Sequence, residues 1–452
     1  MEWRENTRRM KDIALSAYGD LSSRSSPVNR MMAEVAADFR DGYDINLGVG
    51  YVNEATIPRE RIHDAIGRVL ADPKTYRLAL NYGGPQGSQN LIDALVRYHA
   101  RNGIGELTEE VLAKNEIIIG PSGATSLLEG VAHVLSPGIV ITSDPMYYIY
   151  CNFLERAGFE VLAVPEDEHG IDTAVFEEKL RILGERRQAI RFVYVVTINN
   201  PTCSILSNER RQELVAITTR LSRDLGRKVP LVLDKAYEGL VHDPTVPPLK
   251  SGLLCDELGI VYEIGTLSKI LAPALRVGYM IGRAGPFLRA MIQHTSDIGF
   301  SAPLVTQEAA AYLLDHYVSE QVASVNEGYR IKAQHVRRCI DADLARFFER
   351  YSGGRAGFYY YLTFKTLDTQ EGSPFFTYLA RRTGDPEIDG PEGSPLPRVA
   401  YVPGQYCVHP AGDLVEVANR QLRLSYGFEE IDRIEQAVGY MKEAAGYALA
   451  RV

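Results

Sequence analysis

Residues Ile260–Met280 read IVYEIGTLSKILAPALRVGYM, an apolar stretch that delivers one lysine into a short polar turn. Ile260, Val261, Tyr262, Glu263 and Ile264 form a run rich in β-formers that ends at Gly265 and Thr266, and Val277 to Ile281 form a second. About a dozen residues separate the two runs, too few for a helical crossover, so strands sharing a sheet here run antiparallel. Thr266, Ser268, Lys269 and Arg276 place two hydroxyls, an amine and a guanidinium in an otherwise apolar region. A lone turn lysine is ordinarily solvated, but these neighbours make Lys269 the leading candidate for chemistry.

Upstream, from Glu116 to Gly282, β-rich runs alternate with helical segments. The runs EIIIG, IVIT, VLAV, FVYVV, LVLD, VYEI and GYMIG are seven in number. They predict an α/β fold with a seven-stranded, mostly parallel sheet covered on both faces. Open α/β sheets bind ligands outside the carboxyl ends of their strands, and polar residues gather there. After EIIIG, residues Ser122, Gly123, Ala124 and Thr125 open a helix whose free amides and dipole suit a phosphate, although a plain capped helix reads the same way. After IVIT come Tyr147, Tyr148 and Tyr150, open to roles in the core, at an interface or in stacking on a flat ligand. Asn200 and Thr202 follow FVYVV, while Asp234 ends LVLD and Tyr237 comes three residues later. The case rests on convergence, with no single residue carrying it.

Composition bounds the rest. The chain has 452 residues, a net charge of −9, 45% hydrophobic and 24% charged residues. That is an ordinary globular composition with room for two or three domains. The acidic balance argues against nucleic-acid and membrane-surface partners. No apolar run approaches the ~18 residues of a membrane span, and the N-terminal stretch lacks the apolar core of a secretory signal. The first residues read as a surface helix. Five cysteines with wide spacing suggest neither disulfides nor a CxxC metal site, hence a reducing cytoplasm. Nine histidines show no ligand spacing, so no metal is expected.

Before the sheet, residues 1 to about 45 look helical and end in Ile45-Asn-Leu-Gly-Val-Gly50, where glycines allow a close backbone approach. ERIHDAIGRVLAD reads as a helix after Pro58, and Asn81 to Ser88 is a glycine-rich turn ahead of a second helix. Beyond Phe300 the pattern predicts helices over Pro303–His316, Ser319–Phe348 and Phe375–Arg382, strands at GFYYYLTF, Val399–Pro403 and Gln421–Leu424, and a last helix from Glu429 to about Arg451. Thr383 to Pro397 reads as a solvated acidic loop whose Asp385, Glu387, Asp389 and Glu392 form a solvated face or gate a site. Arg423 lies inside an apolar strand, where a charge is costly unless paired, and a carboxylate partner is expected. The expected division is a large domain over 56–315 and a smaller α+β domain from 1–55 and 316–452.

Taken together, these features resemble the fold type I pyridoxal-phosphate enzymes of the class I and II aminotransferase family. The resemblance runs from about Ile45 to the C-terminus and is nearest the 2-aminoadipate and kynurenine aminotransferase branch, through GGPQGSQNL, VPGQY and RLSY. It implies pyridoxal 5'-phosphate as cofactor. Lys269 in TLSK matches the Schiff-base lysine, and Asp234 in LVLDKAY the acid facing the pyridine nitrogen. Tyr237 and Asn200 match the pair on the phenolate oxygen, and Tyr147 the stacking ring. Gly123, Ala124, Thr125, Thr266, Ser268 and Arg276 match the phosphate set. Tyr82 matches a tyrosine that reaches the phosphate of a neighbouring subunit, implying a homodimer with shared sites. Arg423 matches the grip on the substrate α-carboxylate, and Gly50 the backbone that closes over it.

The implied reaction is ping-pong transfer of an amino group between an L-amino acid and a 2-oxo acid. Two alternatives stand beside it. One is a pyridoxal-phosphate enzyme of β- or γ-elimination or replacement, since every such route begins at the Cα proton. The other is a non-catalytic effector-sensing module, as in regulators that carry a basic DNA-binding domain, for which residues 1 to 45 show no candidate. Three departures from the family pattern bear on the site. NPTC replaces NPTG, and Cys203 reaches φ > 0 less readily than glycine, so the turn is expected to differ. Thr266 replaces a serine, and Lys235, after the key aspartate, reads as solvated or as lying behind the site.

Overall fold

The computed structural model describes residues 13–451, so the surface-helix reading of residues 1–12 lies outside the described residues. Short helices follow at Ala17–Ser22 and Pro27–Ala36, and then strand β1 (Ile45–Asn46). The central sheet contains β2 (Glu116–Ile119), β3 (Ile139–Asp144), β4 (Glu160–Asp167), β5 (Gly170–Ile171), β6 (Ile190–Val196), β7 (Leu231–Asp234), β8 (Val261–Thr266) and β9 (Gly278–Gly282). Their order is β2-β9-β8-β7-β6-β3-β4-β5, so all seven runs share one sheet and the two-residue β5 raises the strand count to eight. β5 arises because the chain turns back after Asp167 and pairs antiparallel with the end of β4.

The interior pairs β3·β4, β3·β6, β6·β7 and β7·β8 are parallel. β9 runs antiparallel to both β8 and β2, with Ile264 opposite Met280, as the short Thr266–Val277 connection requires. Strand alternation feeds two cores. Ile119, Ile141, Val193 and Leu233 point into one, and Ile118, Val140, Phe192, Val232 and Ile264 into the other.

A second, smaller sheet is antiparallel and ordered β10 (Phe348–Gly353), β11 (Tyr359–Phe364), β14 (Gln421–Ser425) and β13 (Val402–Pro403). Its neighbour β12 (Val399–Ala400) pairs parallel with β1, Ile45 opposite Val399, and Ser425 N–H donates to Leu47 O at 2.8 Å. This junction brings the Gly48–Gly50 segment beside Arg423. The long helix runs Val318–Asp343 and not to Phe348, because Phe348 already pairs with Phe364 in the sheet. Segment 383–397 is more ordered than a solvated loop. Asp389 accepts from the backbone N–H of Thr383 at 3.0 Å and Gly384 at 2.7 Å, closing the turn Pro386–Asp389.

Candidate active site

β8 ends at Thr266, whose hydroxyl lies 2.9 Å from both Val277 O and Ser268 Oγ and fixes the turn that follows. Lys269 emerges from this turn into the protein, where its Nζ donates to Gly50 O at 3.0 Å. The rings of Tyr237 and Phe358 each lie 5.5 Å from the nitrogen. Burial, reinforced by the Arg423 and Arg276 charges and opposed by Asp234, brings the Lys269 ammonium down to about 8. The amine is therefore poised for nucleophilic and proton-transfer work near neutral pH.

Asp234 sits at the carboxyl end of β7. Burial pushes it up to about 6, opposed by hydrogen bonds from Ala236 N–H at 3.0 Å and Tyr194 Oη at 2.9 Å. The sequence reading missed Tyr194. Its signal was there in strand periodicity: Val196 pairs with Asp234 across β6 and β7, and Tyr194, two residues back, projects to the same face. Lys235 points the other way and is not solvated. It is buried, with Nζ 2.9 Å from Glu263 and 3.1 Å from Glu238, and Glu238 in turn pairs with Arg211 at 2.8 Å. The alternative reading, that Lys235 lies behind the site, is the one the structure fits.

The helix Gly123–Val134 begins beside Arg276. Gly123 has φ +70, and a Cβ there would lie 3.0 Å from Arg276 Nη2. The guanidinium donates from Nη2 to Ser122 O at 2.9 Å, capping the approach to the first helical amides. Gly278 on β9 is the unforeseen part of this cradle. A Cβ at Gly278 would sit 2.2 Å from Ala124 N, so only glycine lets the helix N-terminus press onto the strand. Free amides, a dipole end and Arg276 together fit a dianion.

Arg423 is 2% exposed. Its expected carboxylate partner is absent among the described residues. Instead Nη1 donates to Asn200 Oδ1 at 2.8 Å, Nη2 donates to Gly48 O, the Tyr359 ring lies 4.5 Å beneath, and Nε has no partner. The Asn200 turn does not depart from the glycine geometry: Cys203 takes φ +50. Space for its side chain comes from Gly357, where a Cβ would lie 2.6 Å from Cys203 Sγ.

One cavity of about 340 Å³ joins these parts, lined by Gly50, Ala124, Thr125, Tyr147, Asn200, Asp234, Tyr237, Thr266, Ser268, Lys269, Arg276 and Arg423. Gly123, one residue before Ala124, does not itself line it. Tyr82 does not line it: the ring is 74% exposed, 5.4 Å from that of Phe300. No residue of segment 383–397 lines it either, which leaves the gating alternative without support. The donor set suits pyridoxal phosphate. Lys269, Arg276 and Arg423 surround one space, and among the described residues none of the three is ion-paired to a carboxylate, so the cavity offers cation sites for a phosphate and an acid while Asp234 faces it with the opposite charge.

This disposition on this strand order is that of the fold type I pyridoxal-phosphate proteins. The structure of the multiple substrate aminotransferase from Thermococcus profundus has the same fold, with TM-score 0.80 at 22% identity over 97% of this chain and 98% of that one. The chain belongs to the aminotransferase class I and II family, whose sequence profile matches residues 45–382. The 2-aminoadipate transaminase of Thermus thermophilus is 26% identical over 399 residues, 87% of this chain and 88% of that protein. YisV of Bacillus subtilis, described as an uncharacterized HTH-type transcriptional regulator, is 27% identical over 351 residues, 75% of this chain and 65% of its own length. The chain thus spans less than two thirds of that regulator.

Proposed function

We propose that this protein is a pyridoxal 5'-phosphate-dependent aminotransferase that moves an amino group between an L-amino acid and a 2-oxo acid by a ping-pong route. The observation that carries the reading is the convergence on a single cavity of one buried acid and three cations that have no carboxylate partner among the described residues. The Gly123 turn with Arg276, Thr266 and Ser268 would hold the phosphate, Tyr147 would cover the ring, and Tyr237 with Asn200 would meet its phenolate oxygen. When bound, pyridoxal phosphate supplies a carbonyl that condenses with amines and a ring that accepts electrons. Asp234 holds the proton on the ring nitrogen, and a cation opposite it favours its carboxylate form. Arg423, with its free Nε, orients the substrate by its α-carboxylate. Lys269 Nζ removes the Cα proton and redelivers it as general acid and base.

The proposal includes a homodimer. Exposed Tyr82 and Phe300, 74% and 63%, with Leu78 and Leu80 nearby, form an apolar edge suited to a second copy whose phosphate Tyr82 would reach. It also includes the division at 56–315 and a reducing, cytoplasmic setting, supported by five free cysteines. Among the described residues no helix is long and apolar enough to cross a membrane.

The test is to load the protein with pyridoxal phosphate and add single amino acids from a panel without an acceptor. Stoichiometric conversion of the cofactor to its amine form, with one 2-oxo acid released per site, is the expected result; release of ammonia with the cofactor unchanged would establish elimination instead. The same test separates catalysis from the effector-sensing module weighed above. A sensor would bind cofactor and amino acid yet release no oxo acid.

A further inference from the structure

Tyr359, on β11 of the smaller sheet, is a buried residue to which neither the family resemblance nor the reading above gives a role. Three contacts fix it. Its hydroxyl lies 2.9 Å from that of Tyr237. Its ring carries the Arg423 guanidinium at 4.5 Å. A Cβ on Gly50 would fall 2.7 Å from the same hydroxyl, so the backbone that accepts from Lys269 is glycine where Tyr359 needs the room. The Tyr359 side chain therefore touches the residue facing the cofactor oxygen, the residue reading the carboxylate and the segment holding the lysine.

We infer that Tyr359 is a positioning residue whose hydroxyl donates to Tyr237 and so directs the single Tyr237 proton toward the cofactor's phenolate oxygen. This rests on the aminotransferase reading, in which Tyr237 meets that oxygen. The reason is hydrogen-bond stoichiometry. A phenol has one proton; if Tyr237 gives it to the phenolate oxygen, Tyr237 can only accept from Tyr359. Accepting also strengthens Tyr237 as a donor, because successive hydrogen bonds polarise one another. Donation to the phenolate oxygen withdraws electron density from the chromophore and lowers its proton affinity. Tyr359, which also lines the cavity, thereby acts through Tyr237 on the pH at which the lysine-bound cofactor titrates.

The experiment is a pH titration of the visible absorbance of the holoenzyme for the parent, Tyr359→Phe, Tyr237→Phe and the double variant. Tyr359→Phe should raise the midpoint by about 0.5–1 pH unit, in the same direction as Tyr237→Phe and by less. In the Tyr237→Phe background the second substitution should move it by no more than about 0.2 unit, because the path through Tyr237 is gone. An unmoved midpoint in Tyr359→Phe, or an equal shift with and without Tyr237, overturns the inference. Tyr359→Leu, which also lacks the hydroxyl, serves if the Phe variant does not fold, with the same expected direction. A parent protein that shows no visible band with pyridoxal phosphate would instead overturn the cofactor reading of Lys269.

Discussion

Replacing Arg423 by Met separates what the guanidinium does for binding from what it does for stability. In the fold it is 2% exposed, and among the described residues its charge has only neutral partners: Asn200 Oδ1 at 2.8 Å, Gly48 O and the Tyr359 ring at 4.5 Å. Burying an ion costs several kcal/mol, and two hydrogen bonds from a charged donor return about 1.5–3 kcal/mol each. Met restores the volume without the charge but leaves the two acceptors unsatisfied, at about 1–3 kcal/mol each. The relieved ion burial only partly offsets the lost hydrogen bonds and stranded acceptors, so unfolding free energy should fall by roughly 2–5 kcal/mol. Recognition has no such compensation. Loss of a buried, charge-assisted contact to a carboxylate should cost about 3–4 kcal/mol, roughly 10²- to 10³-fold in kcat/KM. The assay pairs a thermal melt with steady-state kinetics on the fastest amino donor of the panel. Unchanged kcat/KM would remove Arg423 from substrate recognition, and a collapsed melt would make it a structural tie.

Three other perturbations test neighbouring parts of the same argument. Lys269→Ala should leave a folded protein that takes up pyridoxal phosphate without the parental visible band; turnover at the parental rate would dismiss the lysine. Because Lys269 is lowered to about 8, its neutral fraction grows as pH rises through that value. The rate at which cofactor-free protein forms the visible band should therefore climb with a midpoint near 8, and a midpoint near ~10.4, that of free lysine, would refute the burial argument. Gly357→Ala forces a Cβ to 2.6 Å from Cys203 Sγ at φ +63. It should cost about 2–4 kcal/mol in denaturant unfolding, and adding Cys203→Gly should recover about half; no recovery would show that the sulfur is not the obstacle.

Much of this site was legible along the chain because each group sits at or just past the end of a β-rich run. Asp234 ends a strand, Lys269, Asn200, Tyr147 and the Gly123 turn each follow one, and parallel pairing brings strand ends to one edge whatever the intervening lengths. Arg423 was visible as a charge in an apolar strand, but its partners were not. A strand pattern states that a buried charge needs company without stating which distant atoms supply it. Tyr359 and Gly278 look like ordinary strand residues until β11 and β9 are set against Tyr237 and Ala124.

The alternating α/β plan, the antiparallel return at β9 and the polar residues at the sheet edge are all written along the chain, because periodicity and connection length are local properties. The same pattern leaves Lys235 open between two readings and predicts a changed turn at Cys203 where the structure has none, because both depend on contacts made elsewhere. Packing in three dimensions sets Lys235 into a buried ion cluster, gives a cysteine at positive φ its room beside Gly357, and leaves Arg423 with no carboxylate among the described residues. Those outcomes belong to pairs of residues far apart in the chain, whose distance is set by packing and by no pattern along it.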